Sequence, residues 1–190
     1  MCDLLNHAET LRRAAGMPHL TVTAAPHMSG AARAERSHRC SPGPTVVFGG
    51  EAVAEPPLVR LATLGHELAH HDLGHTTDPV DYWIIYLQRA LGVAALIAAL
   101  ADAWAVLGGL ATAAAMVWLA TNAMYRRREV AADARALALL DRAGLPGREA
   151  MAAMHAADLV VDPWWHAAGG FVFTGHPPVY ARARRLDLAR

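Results

Sequence analysis

The segment His66-Glu67-Leu68-Ala69-His70 has the residue types and the spacing of a zinc-hydrolase half-site. Residues four apart lie on one face of a helix, so His66 and His70 can offer imidazole nitrogens to one metal ion. Glu67 stands beside them, where its carboxylate can take the proton of a metal-activated water. The segment therefore predicts two metal ligands and a general base.

These side chains need a helix to hold them, and the flanking residues predict one near 55–73. Pro56 and Pro57 suit a helix start, and Gly74 suits a helix end. Between them runs an apolar stripe of leucines: Leu58, Leu61, Leu64 and Leu68. The next residues do not complete the longer pattern HExxHxxGxxH, because Leu73 stands where that pattern needs glycine and Thr76 where it needs histidine.

Two further histidines follow the half-site. We expect His71 and His75 to be exposed residues at the helix end, where the helix dipole favours an imidazolium. His75 stays open as an alternative ligand, should the third metal ligand not lie elsewhere.

A better third ligand lies in residues 126–137, which are helical in pattern. Glu129 and Asp133 fall four apart on one face of that helix. A His-His-Glu set leaves one position open on the metal, as a catalytic zinc requires. Asp133 can accept a hydrogen bond from the outer N–H of a ligand histidine and so fix its tautomer. The alternative is a solvated face on which both carboxylates pair with nearby arginines.

Between the two half-sites, from Ala90 to Tyr125, Asp102 is the only charged residue. A bilayer core takes about 20 apolar residues per helix, so this run is too long for one crossing. It suffices for two if the first begins near Tyr82. We expect spans near 82–101 and 103–124 with Asp102 at the turn, which places Arg89 inside the first span, where it must snorkel or pair.

Metal binding and membrane topology constrain each other. A single crossing would separate His66 and His70 from Glu129, whereas two crossings return the chain to the same side. The arginines at 126–128 mark that side as cytoplasmic, which predicts a multi-pass protein of the cell membrane. The alternative is an alanine-rich buried helical pair, residues 83–125, in a soluble domain.

The remaining pattern predicts a mainly α fold of α+β type, a helical zincin-like domain with a small β element, interrupted by a transmembrane hairpin. Residues 1–81 and 126–190 would form its two halves, and 82–125 the hairpin. Formal net charge is zero, which gives no basic footprint for nucleic acid. The other predicted segments are helices at 3–15, 126–143, 147–158 and 178–188, strands at 19–23 and 45–48, a loop at 25–44 and an aromatic loop at 162–170. That aromatic loop either borders the cleft or packs against the membrane surface. We expect strand 45–48 to be the edge strand that pairs with a substrate backbone.

Three blocks together resemble the membrane zinc metallopeptidases of the HtpX and CAAX-prenyl-protease kind. They are Leu64–His70, the ExxxD segment Glu129–Asp133, and Thr174–Arg182, which is similar to the family's HPxxxxR stretch. The likeness covers most of residues 11–190. It implies a gluzincin-like site with one zinc ion on His66, His70 and Glu129.

The resemblance also implies the other roles. Glu67 would be the general base, Asp133 would orient a ligand histidine, and His176 and Arg182 would lie near the cleft and assist the oxyanion. The implied activity is zinc-dependent endopeptidase action on a protein or peptide substrate, with the lipid bilayer as a second partner. Two alternatives remain: a soluble zinc peptidase that cleaves a repressor, and a non-catalytic zinc-stabilised membrane scaffold in which His75 or His176 closes the site.

Overall fold

The chain is mainly helical, 71% by residue, with one small sheet. A computed structural model describes residues 2–27, 32–35, 43–161 and 174–188. The strands are β1 (Thr21–Ala25), β2 (Ala32–Glu35) and β3 (Thr45–Gly49). The helices are α1 (Cys2–Ala15), α2 (Gly50–Ala54), α3 (Pro57–Asp72), α4 (Val80–Leu100), α5 (Trp104–Arg142), α6 (Gly147–Val161) and α7 (Val179–Arg185). The predicted mixed, mainly α fold is confirmed.

The sheet corrects two expectations. Its strand order is β1-β3-β2, with β1 parallel and β2 antiparallel to β3. The predicted loop at 25–44 therefore contains a strand, and β3 is central, whereas we predicted an edge strand. β2 escaped prediction because Ala32-Arg33-Ala34-Glu35 carries no β-branched or aromatic side chain. All five residues of β3 are buried, as a central strand requires.

The core forms where α3 meets the second half of α5. Leu61, Leu64 and Leu68 on α3 are fully enclosed, whereas Leu58 at the start of the predicted stripe is exposed. Gly65 allows the two helices to come close, because a Cβ there would lie 3.3 Å from the side chain of Leu140. The helices therefore come close together beside His66.

The two apolar helices form a hairpin that the rest of the described chain does not cover. Asp102 makes the turn with a left-handed backbone, φ +53°. Both helices are long and apolar enough to cross a membrane, and only 6% of the most apolar window of each is buried. The alternative of a buried helical pair therefore does not fit the described residues. We name α4 together with residues 104–124 of α5 the apolar hairpin.

The second predicted span and the helix predicted at 126–143 are one continuous helix, α5. Nothing in residues 120–128 breaks a helix, since that stretch holds neither proline nor glycine. Ion pairs fix the root of the hairpin: Arg128 binds both Asp78 and Asp81, which precede and begin α4. About two turns further along α5, Arg135 pairs with Asp72 at the end of α3. The predicted aromatic loop at 162–170 lies outside the described residues.

Candidate metal centre

Helices α3 and α5 bring one face of each together around three ligand atoms. His66 Nε2 lies 3.1 Å from His70 Nε2. Glu129 reaches both, with Oε2 3.5 Å from His66 Nε2 and Oε1 3.4 Å from His70 Nε2. Among the described residues, these three form the one cluster of histidine, cysteine or acidic side chains that could hold a metal ion.

The spacing of these atoms fits a zinc ion. Tetrahedral zinc with bonds of 2.0–2.2 Å separates its ligand atoms by about 3.3–3.6 Å. The three separations of 3.1, 3.4 and 3.5 Å are close to those tetrahedral edges. Two imidazoles and one carboxylate are also the donor set of a catalytic zinc that keeps its fourth position open.

The electrostatics of the centre favour a cation. Burial by itself would lower the pKa of His66, but hydrogen bonds to Asp133 and Glu129 raise it to about 10. Burial would raise the pKa of Glu129, yet its hydrogen bonds with His176, His66 and His70 hold it far below the usual range. The carboxylate is therefore an anion ready to bind a positive charge.

Asp133 orients the first histidine from behind. His66 Nδ1 donates to Asp133 Oδ1 at 2.9 Å, which leaves Nε2 facing Glu129 and His70 and available to a metal ion that displaces its proton. Arg182 donates to both Asp133 oxygens at 2.7 Å. Burial would raise the pKa of Asp133, but Arg182 and His66 lower it to about 2. The predicted contact between Asp133 and a ligand histidine is present, and Arg182 holds that carboxylate in place.

The histidines after the half-site differ from expectation. His71 donates from Nε2 to the Thr45 carbonyl oxygen at 3.0 Å, and His75 Nδ1 lies 3.0 Å from His70 Nδ1. Neither is exposed, and burial lowers the pKa of both. The expected exposed imidazolium is therefore wrong, because packing of the end of α3 against the sheet outweighs the helix dipole. His75 instead contacts the outer nitrogen of His70.

Glu67 lies at the mouth of the centre. It lines the cavities on both sides, next to Ala32 of β2. Burial raises its pKa, which His66, His70 and a hydrogen bond with the backbone of Ala34 partly offset. A raised pKa makes a carboxylate better suited to taking up and returning a proton.

The two C-terminal candidates occupy different places. His176 has a mostly exposed side chain, and its Nδ1 lies 3.4 Å from Glu129 Oε2. Arg182 is buried, and its nearest approach to Glu129 Oε2 is 3.9 Å. Both residues line a cavity beside Glu129, but Arg182 is also engaged with Asp133 through two hydrogen bonds.

Sequence reasoning missed His155. Its ring is 1% exposed, lies 3.5 Å from Asp133 Oδ2, and makes no hydrogen bond among the described residues. Burial lowers its pKa to about 4, so at neutral pH the ring is uncharged and packs against the carboxylate without forming an ion pair. A lone histidine within the apolar face of a helix carries no sequence signal for this position.

Two cavities meet at the metal centre. One, of about 360 Å³, lies on the side of β2, His75 and Tyr125. The other, of about 580 Å³, lies on the side of α2 and α6 and includes Glu55 and Asp158 in its wall. His66, Glu67 and Glu129 line both, so the centre opens onto a continuous cleft. The arrangement can hold a metal ion, admit an extended ligand and supply a carboxylate base.

The comparisons with known proteins agree with this chemistry. The model of Peptidase family M48 matches residues 58–189, more than two thirds of the chain. This match covers both metal half-sites and the C-terminal His176–Arg182 stretch. No curated protein and no solved structure matches the chain. The chain belongs to Peptidase family M48, and its activity is that of a metallopeptidase.

Proposed function

We propose that the protein is a zinc-dependent endopeptidase that works from within a membrane. The observation that carries the proposal is the triangle of His66 Nε2, His70 Nε2 and a Glu129 oxygen, with sides close to the edges of a zinc tetrahedron. A carboxylate base stands beside that triangle at an open cleft. A structural zinc would need a fourth protein ligand, and the ligand cluster of the described residues holds three.

The residues divide the work of peptide hydrolysis. A zinc ion bound by the three ligands supplies a Lewis acid that polarises a carbonyl and acidifies water. Glu67 takes the proton of the attacking water and returns it to the leaving amine. His176, on the cleft side of Glu129, is placed to donate a hydrogen bond to the developing oxyanion. Arg182 acts through Asp133, which holds the ring of His66.

The expected pairing of a strand with the substrate moves from β3 to β2. β3 is paired on both sides, whereas β2 pairs within the described chain along one side alone. Ala32, Arg33 and Ala34 of β2 line the same cavity as Glu67. An extended peptide added to β2 would therefore pass beside the general base, with its backbone held by strand hydrogen bonds. This arrangement suits internal peptide bonds of a protein or peptide substrate.

The apolar hairpin supports the membrane location. Its exposed surface includes Trp83, Leu96 and Val106, and such a continuous apolar face is unfavourable in water. Two crossings keep α3 and the second half of α5 on one side, which the shared metal ligands require. The arginines after the second crossing make that side cytoplasmic. The domain boundaries at 81/82 and 125/126 follow from the same topology.

Two experiments test the proposed function. Removing the metal from purified protein with 1,10-phenanthroline should abolish cleavage of an unfolded protein such as casein, and stoichiometric zinc should restore it. Tags near Asp78 and Asp141 should report one face of the membrane and a tag at Asp102 the other. Full cleavage by metal-free protein would contradict the catalytic part. Tags at Asp78 and Asp141 on opposite faces would contradict the topology.

A further inference from the structure

A third cavity, of about 320 Å³, lies away from the metal ligands, between α5 and α7, at the level where the apolar hairpin ends. Four residues of α5 and five at the start of and along α7 form its wall. They are Ala123, Arg126, Arg127, Val130, Pro177, Pro178, Tyr180, Ala181 and Arg185. The proposed function assigns no role to this cavity.

The lining combines positive charge with an apolar floor. Arg126, Arg127 and Arg185 contribute three guanidinium groups, and no carboxylate is among the lining residues. Arg127 and Arg185 are exposed, and neither forms an ion pair with a described residue. Arg126 also donates to the Thr174 carbonyl oxygen at 2.9 Å, which fixes its side chain at the rim. Three guanidinium groups in the lining of one cavity favour a ligand with several anionic oxygens, such as a phosphate group.

The cavity lies at headgroup depth if α5 crosses the bilayer. From Trp104 to Ala123 there are 19 residue steps by subtraction, which at 1.5 Å each cover about 29 Å. The hydrocarbon core of a bilayer is about 30 Å thick. Arg126 and Arg127 therefore follow directly where the hydrocarbon ends and lipid phosphates begin. The exposed apolar surface of α5 ends at this cavity. A lipid whose acyl chains lie along the hairpin would therefore have its headgroup in the cavity.

We propose that this cavity binds the phosphate headgroup of an anionic phospholipid, an inference that rests on the membrane insertion in the proposed function. The guanidinium groups of Arg126, Arg127 and Arg185 hold the phosphate oxygens. Ala123, on the bilayer side of the arginines, contacts the glycerol and the start of the acyl chains. Basic pockets at the cytoplasmic end of membrane helices are the usual protein sites for such headgroups.

The site links lipid binding to the metal centre. Its two sides belong to different helices, so a headgroup held from both sides keeps α7 against α5. α7 carries Arg182, which binds Asp133 behind His66. Pro177, beside His176, lines both this cavity and the cleft at the metal centre. Anionic lipid should therefore raise peptidase activity by stabilising the contact between α7 and α5.

The test compares lipid retention by full-length variants. Arg127→Gln and Arg185→Gln together remove two of the three cations, and Arg184→Gln is the matched control, since Arg184 is exposed on the same helix and does not line the cavity. Each protein is reconstituted with equal amounts of phosphatidylglycerol and phosphatidylcholine, and the co-purifying lipid is quantified. We expect the preference for phosphatidylglycerol to fall about 25-fold in the double variant, from roughly fivefold for each arginine, and to stay unchanged in the control.

The remaining arms separate the outcomes. Equal preference in the double variant and wild type, with both proteins resisting carbonate extraction from membranes, would overturn the headgroup site and leave the proposed function intact. Release of the wild type by carbonate would overturn both. Displacement of phosphatidylglycerol by millimolar inorganic phosphate would assign the site to a soluble anion and overturn the lipid proposal. The single variant Arg127→Gln, at an exposed position, provides the same comparison with a fivefold expected loss if the double variant does not fold.

Discussion

The two halves of α5 share one backbone and have opposite surfaces. Residues 104–124 expose tryptophan, valine and methionine side chains. Within this range only the residues Thr121 and Asn122 are buried. Residues 126–142 bury the carboxylate of Asp133 and enclose Leu139 and Leu140. Residues 104–124 therefore carry their apolar side chains on the surface, whereas residues 126–142 bury apolar side chains together with a charged one.

The difference shows that the surroundings of each half decide what it can carry. Buried charge in the second half is tolerated because Asp133 accepts two hydrogen bonds from Arg182 and one from His66. Exposed apolar surface in the first half is unfavourable in water and favourable in hydrocarbon. If the first half crosses a membrane, as we propose, the continuous helix holds Glu129 at a fixed depth beside it.

The largest expected effect comes from removing the proposed general base on α3, beside the charged half of α5, while keeping the shape of its side chain. Glu67→Gln removes the base but leaves the metal ligands, so proteolysis should fall about 100- to 10,000-fold while the zinc content is unchanged. Cleavage rates and metal analysis of the same preparation check this. A variant with full activity would show that Glu67 is not the base.

The buried pair of the charged half should be next in size. Arg182→Gln leaves the Asp133 carboxylate enclosed without its main partner, which should lower the free energy of unfolding by about 3–5 kcal/mol. Arg184→Gln, two residues along the same helix and exposed, should change it by less than about 0.5 kcal/mol. Thermal or denaturant unfolding in detergent compares the two. Equal stability of both variants would mean that the Asp133–Arg182 contact contributes little.

The location of the apolar half can be tested by introducing a charged side chain, which is unfavourable in hydrocarbon but not in water. Val93, near the middle of α4, is 59% exposed, and Leu5 on α1, outside the hairpin, is 56% exposed. Val93→Arg should cost about 2.5–3.5 kcal/mol of membrane insertion, whereas Leu5→Arg should be nearly neutral. The readout is the fraction of each protein that resists carbonate extraction. Similar membrane fractions for both would place the hairpin in water.

The smallest expected effect concerns His75, which contacts the proposed metal ligand His70. His75→Ala removes the group beside the outer nitrogen of His70, so zinc affinity should fall about 10- to 100-fold. His71→Ala is the control, because His71 contacts the Thr45 carbonyl and no metal ligand. Competition with a zinc chelator measures both affinities. Equal losses would indicate a general loosening of the end of α3 and no specific orientation of His70.

Much of this arrangement could be predicted, because the relevant signals are local. The HExxH helix ends at Asp72, two residues before Gly74, which has φ +72°, and the hairpin turns at Asp102, as the sequence indicated. Helical spacing also predicted that Glu129 and Asp133 share a face, and the structure brings Glu129 to the two histidines.

What could not be predicted depends on contacts between distant segments. β2 forms because β3 offers it a partner, although its own side chains do not favour a strand. His75 meets His70 only after the chain turns at Gly74, and His155 meets Asp133 only when α6 packs behind the site. α5 is unbroken because residues 120–128 contain no proline or glycine. The change from apolar to charged residues in that stretch led us to predict two separate helices instead.

The central claim is that His66, His70 and Glu129 together hold one catalytic metal ion, and metal analysis of purified variants tests it most directly. Wild type and Glu67→Gln should each contain one equivalent of zinc. Glu129→Ala should contain none, because two histidines alone do not complete the site. Stoichiometric zinc in Glu129→Ala would contradict the ligand set and direct attention to His75 or His176 as the third ligand.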